Sequence, residues 1–153
     1  MPQELTYEQA LHRAAALCTA SEKCSADINE KLLAWGINPS DAEKIIDYLT
    51  KEKFLDDARF AHAFVRDKFR FNKWGRQKIA FALKMKNISP ALIADALAEI
   101  DSEVYCETLV ELLRAKQRGM KFKNDADRRA KLYRFALSRG FELSAVGEVW
   151  KRL

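Results

Sequence analysis

The chain has 153 residues, enough to bury a substantial core, and it contains only 5 glycines and 3 prolines. So few helix-breaking residues favour an all-α fold over many short strands. No apolar stretch approaches the roughly 20 residues that a membrane-spanning helix needs, and the start, Met1-Pro2-Gln3-Glu4, lacks the basic and then apolar order of a secretion signal. We therefore expect a cytoplasmic protein.

Charge is distributed unevenly along the chain. Residues 1–57 carry 6 Lys/Arg and 11 Asp/Glu, a net charge of −5, whereas residues 58–153 carry 21 and 11, a net charge of +10. The basic part suggests a partner with an acidic surface, either a nucleic acid or an acidic protein groove. The simpler alternative is a solvated basic face without a partner.

The apolar pattern divides into units of three helices. The first unit, repeat 1 (about residues 5–53), begins with Thr6 and Gln9 at the spacing of a capping box. Apolar residues then recur at helical spacing up to a stop at Gly36. Asn38-Pro39 predicts the start of the next helix, because asparagine caps a helix and proline suits its first position.

Repeat 2 (about residues 54–99) follows the same scheme. Asp56 is the predicted N-cap of its first helix, and Asn87 tolerates the left-handed conformation that ends the second. Ser89-Pro90 follows Asn87 at the same distance as Asn38-Pro39 follows Gly36. The predicted helices are about 57–70, 75–86 and 90–99. This shared spacing of helix stop and start signals is better evidence for a repeat than shared hydrophobicity.

Repeat 3 (about residues 100–153) has a longer and very basic middle, from Arg114 to Lys123. Further helices are predicted at about 125–139 and 142–152. Residues 1–153 therefore read as one domain of three tandem three-helix repeats. Because the junctions are short, we expect the repeats to stack into an elongated array that can curve.

A catalytic interpretation finds little support. The 2 histidines and 3 cysteines lack metal-ligand spacing, and no glycine-rich phosphate loop occurs. His62 lies between alanines of a helix and is expected to be structural. Asp56-Asp57 suggests a divalent cation, but helix capping explains at least one of them. We expect a protein that is not an enzyme and that has no cofactor and no metal.

Basic and aromatic residues alternate at the bend between the first two helices of repeat 2, and a second basic group lies in repeat 3. Phe71 lies outside the apolar stripe and is expected to be exposed, as is Trp74. Stacking would join the two groups into one strip suited to phosphates or to an acidic groove. Alternatively, the aromatic residues are core and the charges are only solvated. The candidate contact residues are Arg66, Arg70, Lys73, Trp74, Arg76 and Lys78, with Arg114, Lys116, Arg128 and Arg129.

Several short motifs, in order, resemble the RecX family. The chain reads FLDDARFA at 54–61, WGRQKI at 74–79 and KLYRFALSRGF at 131–141. The resemblance extends over essentially the whole chain, and its one departure is Asn87 in place of the usual glycine. It implies tandem three-helix repeats and a regulator that binds the groove of the RecA–single-stranded-DNA filament. Members usually inhibit strand exchange, ATP hydrolysis and co-protease activity, and some bind DNA.

Two functions are therefore expected to compete. The first is a monomeric regulator of the RecA filament that contacts several protomers and uses DNA as an additional partner. The second is a nonspecific nucleic-acid-binding module that acts without RecA. For the first, reversing the charges of Arg70, Lys73 and Arg76 together is expected to abolish filament binding while thermal stability stays nearly unchanged.

Overall fold

The architecture was obtained as a computed structural model that describes residues 4–153. Met1-Pro2-Gln3, on which part of the signal-peptide prediction rests, lies outside these residues. The described part of the chain is helical and contains no strand, which confirms the all-α class. Its helices are α1 (Tyr7–Ala20), α2 (Ser25–Ala34), α3 (Pro39–Lys51), α4 (Asp57–Arg70), α5 (Arg76–Met85), α6 (Pro90–Leu97), α7 (Ser102–Arg118), α8 (Asp125–Ser138) and α9 (Leu143–Val149), followed by a 3-10 turn, Trp150–Arg152.

The predicted caps form as hydrogen bonds. Thr6 Oγ1 accepts from the backbone N–H of Gln9 at 3.2 Å, and the Gln9 side chain accepts from the N–H of Thr6 at 3.0 Å. Asp56 Oδ1 accepts from the N–H of Arg59 at 3.0 Å. Each bond satisfies a backbone donor that the first helical turn leaves unpaired. Local sequence therefore sets where these helices begin.

The middle helices, α2, α5 and α8, end in the same way. The residue that follows each C-cap has a positive φ, which is 87° for Gly36, 60° for Asn87 and 91° for Gly140. Asparagine therefore replaces glycine in repeat 2 without changing the turn. Counted back from this turn, equivalent positions are buried in all three helices: Ile28, Ile79 and Leu132, then Leu32, Leu83 and Ala136. This turn gives the register between repeats.

Each repeat has its own core, and neighbouring cores interlock. Cys24, the N-cap of α2 in repeat 1, is fully buried in the core of repeat 2. Phe69 of repeat 2 and Ile100, the first residue of repeat 3, each pack against the cores of both repeats. The molecule exposes 9729 Å², compared with about 7,900 Å² for a compact monomer of this mass. The larger surface is that of an elongated molecule.

Polar contacts join repeat 1 to repeat 2. Asp57 accepts hydrogen bonds from the backbone N–H and the hydroxyl of Ser25, at 2.8 and 3.1 Å. This carboxylate therefore links repeat 1 to repeat 2. Lys86 Nζ lies 2.8 Å from Asp27 Oδ1. Burial opposes ionisation of Asp27, but the bonds from Lys86 and Cys24 outweigh it and lower its pKa. The hydrogen bond to Asp27 raises the pKa of Lys86.

Asp27→Asn is expected to destabilise the protein by about 1 kcal/mol at neutral pH, the upper range for a partly exposed pair. Because the pKa of Asp27 is lowered in the folded state, its contribution is complete above the ordinary aspartate value of about 3.9 and is lost as pH falls through the lowered pKa. Thermal melts from neutral to acid pH should show wild type and variant converging. Asp95→Asn, which removes an exposed carboxylate, is the control. If the difference in melting temperature between wild type and Asp27→Asn were the same in strong acid as at neutral pH, the prediction would be contradicted.

Candidate partner-binding surface

An open groove of about 490 Å³ runs between the end of α4 and the start of α7, and we call it the α4–α7 groove. Apolar side chains from both repeats form its floor: Val65, Phe69, Ile100 and Val104. Three of the predicted contact residues, Arg66, Arg70 and Lys73, line it together. Three carboxylates, those of Asp67, Glu99 and Asp101, also line it. The groove therefore combines an apolar floor with three cations and three carboxylates.

The turn after α4 shapes this groove. Lys73 adopts a left-handed φ of 57°, its N–H donates to the carbonyl of Phe69, and the N–H of Trp74 donates to that of Lys68. These bonds close the helix in the manner of a C-cap motif. Phe71 is 72% exposed, as predicted, and the Arg70 guanidinium lies 5.8 Å from its ring. An aromatic surface therefore stands beside the cations at the groove's edge.

Trp74 is not exposed to the same degree as Phe71. Its indole is half-buried, with the ammonium groups of Lys68 and Lys78 at 4.9 and 4.7 Å from the ring. Both cations are attracted by the negative face of the aromatic ring. Lys78 is thus held against its own molecule rather than projecting toward a partner.

Arg76 lies in the joint between repeats 2 and 3. Its guanidinium is 3.9 Å from the ring of Tyr105 and pairs with Glu142 at 3.0 Å. The Tyr105 hydroxyl donates to Glu142 at 2.5 Å and accepts from the backbone N–H of Arg76 at 3.0 Å. Burial, followed by the bond to Glu142, raises the pKa of Tyr105 far above its usual range. Contrary to the expectation from the sequence, reversing the charge of Arg76 should therefore destabilise this joint.

Backbone atoms of the two repeats also meet at this joint. The N–H of Gly75 donates to the carbonyl of Arg139 at 2.7 Å, and that of Gln77 donates to Gly140 at 2.9 Å. A Cβ on Gly75 would lie 2.4 Å from the carbonyl of Gly140, and one on Gly140 would lie 2.3 Å from the Cβ of Lys78. Only glycine permits this approach.

The predicted residues of repeat 3 cover aromatic rings on that repeat. Lys116 lies over Phe135 at 5.3 Å, and Arg128 and Arg129 lie over Trp150, each at 5.0 Å. Arg128 also pairs with Asp125. The other member, Arg114, donates to the backbone carbonyl of Arg152.

The basic residues of repeat 3 do not share a groove with those of repeat 2. Lys116 lines a shallow groove with Lys131 and Arg134. Arg114 lies in another groove with Arg152 and three glutamates. Neither of these two grooves contains a basic residue of repeat 2. The structure thus brings Arg66, Arg70 and Lys73 together but places the repeat 3 residues elsewhere.

The histidine and the cysteines considered for catalysis or metal binding contact other parts of the fold. Nδ1 of His62 lies 2.9 Å from a carboxylate oxygen of Glu99. Cys24 and Cys106 are buried, and burial raises the pKa of the Cys24 thiol to about 11. Within residues 4–153 no cluster of three or more His, Cys, Asp or Glu has the arrangement of a metal site, and no helix is long and apolar enough to cross a membrane. Burial therefore disfavours the thiolate form of Cys24.

Models of known families match both basic repeats. Residues 56–97 match the model described as "RecX, second three-helix domain", and residues 103–150 match "RecX, third three-helix domain". Together the two matches cover more than half of the chain. A relative from Prosthecochloris aestuarii named "Regulatory protein RecX" is 30% identical, over 95% of this chain and 93% of its own length. The chain belongs to the RecX family.

Other RecX relatives are similar over different shares of their length. The "Regulatory protein RecX" of Clostridium tetani is 32% identical over 87% of this chain but only 62% of its own length, so this chain spans about three-fifths of that relative. The Clostridium acetobutylicum relative of the same name is 30% identical over 99% of this chain and 72% of its own length.

Solved RecX structures share the fold. The crystal structure of RecX from Lactobacillus salivarius superposes with a TM-score of 0.88 at 18% identity, covering 96% of each chain. Another, "Crystal structure of regulatory protein RecX", gives 0.84 at 21% identity over 95% of this chain and 73% of that one. At these identities the comparison supports the arrangement of helices alone.

Proposed function

We propose that this chain binds the RecA–single-stranded-DNA filament and modulates RecA, with inhibition of strand exchange, ATP hydrolysis and co-protease activity as the expected effect. Membership of the RecX family and the relatives' name, "Regulatory protein RecX", support a regulatory role. We further propose that it acts in the cytoplasm, as a monomer and without catalysis of its own.

The observation that carries this proposal is the α4–α7 groove. Three cations line it, and none of them pairs with a carboxylate within residues 4–153 at ion-pair distance. Its floor is apolar and comes from two repeats. A partner surface that offers carboxylates around an apolar side chain would satisfy both features.

The joint between repeats 2 and 3 supports the same use. The bonds from Gly75 and Gln77 to the α8–α9 turn hold α5 against repeat 3. The Arg76–Tyr105–Glu142 cluster adds side-chain contacts across that joint. Because α4 and α7 are thereby held in place, the groove needs little ordering on binding, which favours affinity.

An elongated molecule suits a filament. Successive protomers repeat along a filament axis, so a long protein can contact more than one of them. Contacts that are weak singly then act together through a high effective concentration. The separate basic groups of repeats 2 and 3 fit such distributed contacts better than one compact site.

The test is a titration into RecA-driven, single-strand-dependent ATP hydrolysis, run beside a titration against naked oligo-dT. We expect suppression of hydrolysis at protein concentrations below that of RecA, because few bound molecules affect a cooperative filament. Tight binding to oligo-dT with no effect on RecA at any ratio would overturn the proposal.

One observation favours the alternative, nonspecific nucleic-acid binding. The shallow groove of repeat 3 is lined by Lys116, Lys131 and Arg134, with Met120, Phe135 and Ser138 but no carboxylate. Such a groove suits a phosphate backbone. Direct binding of this kind should weaken steeply with salt, since phosphate contacts release counterions. A salt series with oligo-dT in the absence of RecA therefore separates the two functions.

A further inference from the structure

A second groove lies between α5 and α6 of repeat 2, and we call it the α5–α6 groove. It has a volume of about 760 Å³ and is mostly apolar, with Phe81, Ile88, Ile93 and Leu97 among its lining residues. Lys84 is its one charged lining residue. Phe81 is 65% exposed, and Met85, one helical turn further along α5, is 68% exposed. Two large apolar side chains therefore face solvent side by side.

The fold itself does not require these two side chains. Counted from the turn that ends each middle helix, the positions equivalent to Phe81 are Glu30 in repeat 1 and Arg134 in repeat 3. The positions equivalent to Met85 are Ala34 and Ser138. All of these positions are exposed. The neighbouring repeats pack the same helix with charged or small residues there, so Phe81 and Met85 are particular to repeat 2.

The other faces of α5 already have partners. Ile79 and Leu83 are fully buried in the core of repeat 2. Gly75 and Gln77 bond to the α8–α9 turn, and Lys78 lies against Gly140. The face that carries Phe81 and Met85 is thus the part of α5 without a contact assigned by the fold or by the proposed filament site.

We propose that the α5–α6 groove binds an amphipathic helix of a protein partner. The partner's apolar residues would lie on Phe81, Met85 and Ile93, and a carboxylate near them would pair with Lys84. The charge of the groove supports this occupant, because Lys84 is positive and no lining residue is acidic. A nucleic acid is disfavoured, because a single cation and an apolar floor offer little to a phosphate backbone.

The dimensions of the groove suit a short helix. The 10 residues of α5 span about 15 Å, equal to nearly three helical turns. Apolar residues spaced three and four apart on a partner helix would therefore all reach the groove. The unbranched side chain of Met85 adapts to differently shaped partners. This inference does not depend on whether the chain regulates RecA.

The experiment uses the whole chain with methyl-labelled methionine. Met85 lies on the exposed face of α5, whereas Met120 lines the basic groove of repeat 3 and reports any binding of a peptide there. The probe is a synthetic amphipathic helix of about 14 residues, made of leucine, alanine and glutamate. A second peptide carries lysine in place of each glutamate. We expect the glutamate peptide to shift the Met85 methyl resonance at lower peptide concentrations than that of Met120.

Variants make the outcome specific. Phe81→Glu should weaken binding of the glutamate peptide at least about 10-fold, whereas Phe122→Glu, which replaces an exposed phenylalanine of repeat 3, should not. Lys84→Glu should reverse the preference between the two peptides. The inference is overturned if neither peptide shifts Met85, or if Lys84→Glu leaves the preference unchanged. A Met85 shift caused by oligo-dT, or by raising the protein concentration alone, would also overturn it by assigning the groove to a nucleic acid or to a second copy.

Discussion

Gly75→Ala is expected to destabilise the protein by about 3 kcal/mol, the upper range for forcing extra atoms into a packed site. The added Cβ would lie 2.4 Å from the carbonyl carbon and oxygen of Gly140 and 2.5 Å from the nitrogen of Phe141. These are backbone atoms and cannot rotate away. The joint must therefore open, which would also strain the bonds that Gly75 and Gln77 make to the α8–α9 turn.

Gly119→Ala is the matched control. A Cβ on Gly119 meets nothing within 4 Å, and its φ is negative at −95°. We expect it to be neutral or stabilising by up to about 0.5 kcal/mol, because alanine restricts the unfolded chain. Urea-unfolding midpoints of the two variants measure the difference. If Gly75→Ala and Gly119→Ala unfolded at the same urea concentration, the close backbone contact between Gly75 and Gly140 would be contradicted.

Reversing Arg66, Arg70 and Lys73 to glutamate is expected to abolish modulation of RecA, if the α4–α7 groove is the filament site. The three cations share one groove, and reversal changes its charge by −6. Like charges facing each other across an interface cost several kcal/mol. We therefore expect the protein concentration needed for half-maximal suppression of ATP hydrolysis to rise at least about 100-fold. The three side chains are partly or fully exposed and form no ion pair within residues 4–153. Stability should therefore change little.

A second triple reversal separates position from net charge. Arg118, Lys121 and Lys123 are exposed on and after the end of α7, outside the α4–α7 groove. Their reversal changes the total charge equally and should leave RecA modulation within about 3-fold of wild type, since only distant screened charges differ. Thermal melts of both variants check the fold. Equal loss in the two would show that overall charge, rather than the groove, governs binding.

The helices were predictable because their signals are local. Thr6, Asp56 and Ser89 satisfy the first turns of their own helices with hydrogen bonds to residues three positions ahead. Apolar residues at helical spacing within α5, such as Ile79 and Leu83, are the buried ones. Asn87 was expected to take the left-handed turn, and it does, with a φ of 60°. In each case the partner lies within one or two turns.

The candidate site was only partly predictable. In the sequence, a basic residue next to an aromatic residue looks the same whether the pair faces solvent or packs against a neighbouring repeat. Arg66, Arg70 and Lys73 share a groove, whereas Arg76 pairs with Glu142, which lies 66 positions later in the chain. Phe71 is exposed, but Trp74 is covered by Lys68 and Lys78. No local pattern distinguishes these cases.

By itself, the sequence determined the helices, their caps, their turns and the three-part repeat, since those depend on residues a few positions apart. Only the tertiary structure decided how the repeats join. Gly75 precedes α5, and a glycine is needed there because Gly140, 65 positions away, comes within contact of it. Asp27 and Lys86, which lie 59 positions apart, pair across the first joint. Such pairings depend on the packing of whole repeats, which brings together residues with no relation in sequence.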